Sequence, residues 1–265
     1  MSDPNILERV DKMVQLLQPA HPVQAAMLQK NLRRYVATQE FLTTQLGGNY
    51  SGRVLDYGCG FPMLLSLLRQ GGFNAIGYEP YAEPEHQAVA ACLGVSDYFF
   101  TALPKAEQFD LVTMIDVIEH LSILRPTMTD VIARIRPGGY LAVSTPNGLR
   151  FGQWLAFVRR KTAHPTAIEK FLHTDNNYTH HQREFTRTEL ALTMRHYGLE
   201  VVSLICQDTT SNRADLERYS QAQGKKEKPA TWRSHARDWI QRSLPADWQN
   251  NFFVLARKPP VNPSK

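Results

Sequence analysis

Apolar residues recur at helical spacing through Ile6, Val10, Met13, Val14 and Leu17, and again after "QPAHP" through Leu28, Leu32, Tyr35 and Val36. Residues 5–46 therefore read as helical, with a proline break in the middle. "GGNYSG" ends that section, and from Arg53 the period changes. "RVLDYG" reads as a strand, "MLLSLLRQG" as a helix stopped by glycines, "NAIGYEP" as a second strand and "AEPEHQAVAACLG" as a second helix. "DYFF" is a short third strand, "FDLVTMIDV" a fourth, "TMTDVIARI" a helix and "GGYLAVSTP" a fifth strand. Then come a helix in "TRTELALTMRHYG" and strands in "LEVVSLICQD" and "NNFFVLARKP". Strands alternating with helices predict an α/β fold with a mostly parallel sheet covered on both faces. The strands are near-continuous apolar runs, as doubly covered strands should be.

Two stretches break the rhythm, residues 148–182 and 208–248, and both are expected to be insertions in a domain spanning 51–258. Residues 1–50 form a helical cap in this reading, and 259–265 a tail. Loops of such length in a compact domain usually carry function or lack order.

Composition changes this picture little. At 265 residues and 43% hydrophobic content the chain can build a full core, and 21% charged residues is ordinary for a soluble protein. No apolar run reaches the roughly 18–20 residues that span a bilayer. "MSDPNILERVDKM" lacks the form of a secretory signal, and Cys59, Cys92 and Cys206 lack paired or metal-ligand spacing, so a reducing cytoplasm is expected. The net charge of +5 is mild and neither requires nor excludes an anionic substrate.

The candidate chemistry begins at "RVLDYGCGFPMLLSLL". A glycine turn between strand and helix lets a ligand approach the backbone and aims helix N–H groups at it. Gly58 and Gly60 supply the turn, but "FP" stands where the dinucleotide pattern G-x-G-x-x-G needs more glycine. A nicotinamide oxidoreductase is accordingly the weaker reading. Asp56 ends the first strand, where a carboxylate can meet a cationic or amino group. Glu79 ends the second, where one can accept both hydroxyls of a ribose.

Taken in order, "VLDYGCG", "IGYEP", "FDLVTMIDVIEHL", "IRPGGYLAVSTPN" and "HHQREFTRTELALTMRHYGLEVV" resemble the class I S-adenosylmethionine-dependent methyltransferases. The branch is the one containing ubiquinone-type O-methyltransferases and many methyltransferases of glycan and natural-product pathways. The resemblance covers roughly residues 50–207, with "FFVLARK" as an antiparallel last strand. It implies a Rossmann-like, doubly wound, seven-stranded sheet and S-adenosylmethionine as cofactor. It also implies that Asp56, Gly58 and Gly60 line the methionine and ribose end, that Glu79 binds the ribose hydroxyls, that Thr101, Ala102 and Leu103 flank the adenine, and that Asp116 closes the pocket.

With a methyl group already activated on sulfonium, the protein has to align the acceptor and remove its proton. His120, directly after the fourth strand, is the first candidate base; His181 and His180 are the second. A structural alternative has Glu119–His120 capping the next helix and ordering its loop, and Thr186 or Thr188 capping the helix after "HHQREF". Asp175, His180 and His181 lack diagnostic metal-ligand spacing, and no metal is expected.

The expected acceptor is a small molecule or glycan, with a hydroxyl of a sugar, glycan or natural product foremost. Aromatic and basic residues in "FGQWLAFVRRKTAHP" and "TWRSHARDWIQRSLP" admit an anionic or lipid-linked acceptor and peripheral membrane contact. Nucleic acid is disfavoured, because "STPNG" is not the Asn/Asp-Pro-Pro-aromatic motif of amino-methylating DNA enzymes and the basic residues are scattered. A non-catalytic relative that keeps the cofactor is the remaining alternative.

Overall fold

The structure is a computed structural model, and it describes residues 5–104, 106–150, 181–209, 221, 239, 243 and 245–261. Two helices open the chain, α1 (Ile6–Leu17) and α2 (Pro22–Leu46). The apolar stripe of α1 is the one read from the sequence: Ile6, Val10, Met13, Val14 and Leu17 are all buried. Pro22 opens α2, where its missing N–H costs nothing, and Gly47 leaves it at φ 88°, a conformation glycine adopts without strain.

Seven strands follow: β1 (Arg53–Tyr57), β2 (Asn74–Tyr78), β3 (Phe99–Phe100), β4 (Phe109–Ile115), β5 (Ile135–Pro146), β6 (Glu200–Gln207) and β7 (Asn251–Arg257). They form one sheet in the order β3-β2-β1-β4-β5-β7-β6. β1 and β3 each run parallel to β2, whereas β7 runs antiparallel to both β5 and β6. Between the strands lie α3 (Met63–Gln70), α4 (Pro84–Cys92), α5 (Leu124–Arg134) and α6 (Arg187–His196). This is the α/β, Rossmann-like, mostly parallel arrangement with an antiparallel last strand.

The chain divides into two compact units: Met1–Leu111 with Thr209–Ala230, and Val112–Asp208 with Thr231–Lys265. In the first, Val54, Leu55 and Ala75 of the strands and Leu64, Leu65, Leu67 and Leu68 of α3 are buried, with α1 and α2 packed against α3. In the second, Leu141, Ala142 and Val143 of β5 pair with Ala256, Leu255 and Val254 of β7 and stay out of water. Each large side chain fully buried in this way contributes about 1.5–3 kcal/mol.

The structure departs from the sequence expectation at β6, which is exposed or half-buried at every position but Cys206, with Val202 54% exposed. The reason is its place at the sheet's edge, since β7, later in sequence, inserts between β5 and β6. The third strand is also shorter than "DYFF", because Ser96–Tyr98 form a 3-10 turn and only Phe99 and Phe100 pair with β2. Most of the 148–182 and 208–248 stretches lies outside the described residues, His180 and Asp175 included.

Candidate functional site

The glycine turn is made almost entirely by backbone. β1 delivers Asp56, 2% exposed, and the chain then turns through Gly58 at φ 73° and Gly60 at φ 53°. The N–H groups of Gly58 and Cys59 donate to the carbonyl of Tyr78, at 2.8 and 3.2 Å. Gly60 N–H donates to Glu79 Oε2 at 2.9 Å, and Tyr81 N–H to Glu79 Oε1 at 3.1 Å. Glu79 N–H donates in turn to the Phe100 carbonyl at 2.9 Å. The ends of β1, β2 and β3 are thus laced together, and the register pairing Asp56 with Gly77 and Tyr78 with Phe100 sets which residues emerge there. Thr101 and Ala102 follow β3 exposed, with Leu103 half-buried beside them.

Two glycines are required for different reasons. A Cβ on Gly77 would sit 2.8 Å from Cys59 Sγ and 2.9 Å from Leu65 Cδ2, so the close crossing of turn and strand excludes a side chain there. A Cβ on Gly60 would meet nothing within 4 Å, so the turn opens onto free space beside the Glu79 carboxylate. A ligand bearing a vicinal diol, the ribose of a nucleoside, fits that combination of open backbone and carboxylate. Burial pushes the Cys59 thiol well up, and Asp56 and Glu79 add to the effect, so this cysteine is a neutral packing group.

Where a third glycine would stand, Pro62 precedes α3 and Phe61 stacks face to face on His86, ring centroids 4.3 Å apart and planes within 5°. His86 is held by the start of α4, its Nδ1 accepting from Glu83 N–H at 3.0 Å. Tyr35 on α2 belongs to the helical stripe read from the sequence, which gave it no chemical role. Its phenol is pushed up by burial, with Arg34 and a hydrogen bond to Asn31 acting against that and Asp56 with it, so α2 brings a hydroxyl to the neighbourhood of the strand end.

In the second unit, Asp116 follows β4 at φ 55°, the one non-glycine residue with positive φ among the described residues, its N–H donating to Ser144 O at 2.9 Å. Aspartate tolerates this left-handed conformation better than most side chains, and such positions gather at functional sites. The 3-10 turn Ile118–His120 comes next.

Glu119 does not cap the following helix: α5 begins at Leu124 with no side-chain cap. Glu119 is fully buried, its Oε2 accepting from Thr145 Oγ1 at 3.0 Å, and its carbonyl takes the N–H groups of Gln182 and Arg183 at 2.7 and 3.2 Å. That carbonyl draws the "HQREF" segment onto "IEHL", and the rings of His120 and His181 stand edge to face at 4.9 Å. Thr186 caps α6 in a reciprocal box with Glu189, as one of the two threonines was expected to.

Asn147 of "STPNG" is fully buried and had no role in the sequence reading. Its Nδ2 donates to the carbonyls of Asp247 and Gln249, both at 2.9 Å, and it forms a bridge with Phe185. The metal-type atoms of Glu119, His120 and His181 lie within 4.8 Å of one another among the described residues. Glu119 and His181 each already commit an atom to a protein partner.

Sheet order, glycine turn and strand-end acids together define the class I S-adenosylmethionine-dependent methyltransferases. The chain belongs to the methyltransferase domain family, whose model matches residues 28–204. Among curated relatives, the ubiquinone biosynthesis O-methyltransferase of Pseudomonas aeruginosa is 30% identical over 165 residues, covering 58% of this chain and 66% of that one. That of Aeromonas salmonicida is 29% identical over 116 residues, covering 41% and 49%. The chain therefore spans about half to two thirds of the length of these relatives.

The solved 1,6-didemethyltoxoflavin-N1-methyltransferase of Burkholderia thailandensis, with S-adenosylhomocysteine bound, superposes with a TM-score of 0.52 at 16% identity. It covers 98% of this chain and 92% of its own, a likeness of fold. No helix among the described residues is long and apolar enough to cross a membrane.

Proposed function

We propose that the chain moves the methyl group of S-adenosylmethionine onto a hydroxyl oxygen of a sugar, glycan or natural-product acceptor. The observation that carries this reading is the meeting of His120 and His181 in a protein of this family, since an oxygen nucleophile, unlike a free amine, must lose a proton held at neutral pH. The curated relatives named above are O-methyltransferases, which supports oxygen as the acceptor atom. S-adenosylmethionine, when bound, supplies an electrophilic methyl on a sulfonium.

Asp56, Gly58 and Gly60 hold the methionine and ribose end in this reading, and Glu79 accepts from the ribose hydroxyls. Thr101, Ala102 and Leu103 flank the adenine, and Asp116 closes the pocket. Chemistry then rests on alignment and on proton removal by a histidine. The acceptor side belongs to the N-terminal helices and the stretches 148–182 and 208–248, and the aromatic and basic composition of those two stretches suits an anionic or lipid-linked molecule at a membrane edge. The cysteine usage supports a cytoplasmic location.

The test has two stages. Calorimetry with S-adenosylhomocysteine on wild type and Glu79→Ala examines the donor site. Release of S-adenosylhomocysteine across a panel of catechols, sugars and sugar nucleotides then examines the acceptor. Binding lost in the variant together with turnover on a hydroxyl acceptor supports the proposal. Binding without turnover on any acceptor points instead to a relative that keeps the cofactor and has lost catalysis.

A further inference from the structure

His181 and Glu184 lie just before α6, and the contact between them bears on which histidine does the work. His181 Nδ1 is 3.3 Å from Glu184 Oε1. The same carboxylate takes both arms of Arg150, with Nη1 at 2.6 Å from Oε2 and Nη2 at 2.9 Å from Oε1. Arg150 Nη1 is anchored in turn on the carbonyl of the buried Asn147 at 3.0 Å.

Burial pushes the Glu184 carboxyl up, but hydrogen bonds from His181 and Arg150, with the charges of both, outweigh it and hold the group at about 2. A carboxylate that stays ionised can only accept a hydrogen bond. The neutral imidazole of His181 must then carry its hydrogen on Nδ1, which leaves the lone pair on Nε2. The Glu119 carbonyl, bonded to the N–H groups of Gln182 and Arg183, fixes the backbone that follows the ring.

We infer that Glu184 is a positioning residue that locks His181 with a basic Nε2, and that His181 is the group that takes the acceptor's proton. The inference rests on the hydroxyl methylation proposed above. As the acceptor oxygen forms its bond to the methyl carbon, the carbon–sulfur bond breaks and its electron pair returns to sulfur, leaving a neutral thioether. The hydroxyl proton passes to His181 Nε2. The imidazolium keeps Nδ1–H on Glu184, whose charge offsets the new one, and Arg150 keeps Glu184 from taking the proton itself. The arrangement follows the logic of a histidine oriented by a carboxylate, with the arginine added as a clamp.

The experiment is long-range nitrogen-15 NMR of the imidazoles on the full chain, treated with chelator and loaded with S-adenosylhomocysteine, with His181→Gln used for assignment. The expected result is the Nδ1–H tautomer at His181. In Glu184→Gln that tautomer becomes a mixture, and Glu184→Asp restores much of it. An Nε2–H tautomer at His181 in the wild type overturns the inference without recourse to any variant.

On a hydroxyl acceptor that turns over, His181→Gln should lower kcat about 10²- to 10³-fold and Glu184→Gln about 10-fold or more, with S-adenosylhomocysteine affinity unchanged. A His181→Gln kcat within about threefold of wild type overturns it. So does loss of turnover on chelation that magnesium or zinc restores, because Nε2 would then be a metal ligand. Failure of every acceptor in the wild type counts against methylation itself, while the tautomer still decides on the lock.

Discussion

The glycine turn of the first unit and the histidine cluster of the second are built by opposite means. In the turn, main-chain groups do nearly all the bonding: two N–H groups share the Tyr78 carbonyl, and a single side chain, Glu79, ties Gly60 and Tyr81. Its parts lie within Asp56–Leu103, a run in which each strand end is followed at once by its contribution. In the cluster, Glu119, Thr145, Asn147, Arg150, His181 and Glu184 come from three separated stretches and meet through side chains together with the Glu119 and Asn147 carbonyls. A site of the first kind tolerates varied side chains provided its turns and one acid survive. A site of the second kind depends on each member of its network.

That contrast can be broken most sharply at Glu79. Its carboxylate takes the N–H groups of both Gly60 and Tyr81, so Glu79→Ala should weaken S-adenosylhomocysteine binding about 100-fold, as expected for the loss of two charge-assisted hydrogen bonds. Calorimetry measures this, and an affinity within about threefold of wild type would sink the donor-site assignment.

In the other unit the largest effect should fall on stability. Asn147→Ala removes the buried amide that donates to the carbonyls of Asp247 and Gln249 and should cost about 2 kcal/mol in urea unfolding. Donor affinity in the folded protein should be preserved, and a joint loss of both would mean that the two regions are not separable in this way.

The Glu184 network should announce itself through pH. Its carboxyl is held at about 2 against an ordinary 4.5, so the folded state gains stability that is fully present above about pH 4.5 and is lost as pH falls towards 2. The gap in stability between wild type and Glu184→Gln should therefore be about 2 kcal/mol at pH 7 and shrink steadily below pH 4.5. A gap independent of pH over that range would show that the ion pair does not stabilise the fold.

The smallest effect should come from Thr186→Ala. It removes one half of the box that starts α6 and should lower stability by about 1 kcal/mol, readable as a modest fall in Tm. A loss of 3 kcal/mol or more would show that Thr186 braces the histidine segment as well as the helix.

Much of the first region was legible beforehand because its determinants are local. Gly58, Gly60, Asp56 and Glu79 could be placed from strand ends and turn residues alone, and the structure puts each at such a place. Gly77 was harder, since the reason for it is Cys59 crossing from the neighbouring turn. His120 and His181 were marked as chemistry-bearing, but their closeness was not visible. It depends on the Glu119 carbonyl receiving Gln182 and Arg183, a contact that no spacing encodes. Asn147 and Arg150 carried no signal of their own, because an asparagine after a strand and an arginine beyond it read as an ordinary turn.

Alternating strand and helix periods were enough to determine the fold class, which follows from backbone geometry that neighbouring residues impose on one another, whereas the cofactor was implied by the family that the ordered motifs resemble. Only the tertiary structure decided that β7 separates β5 from β6, that Phe61 stacks on His86, and that a clamped carboxylate orients one histidine beside another. Those outcomes depend on partners far apart in the chain. Their energies come from burial and from satisfying polar groups that lose water on folding, and a linear pattern does not name the partner that will satisfy them.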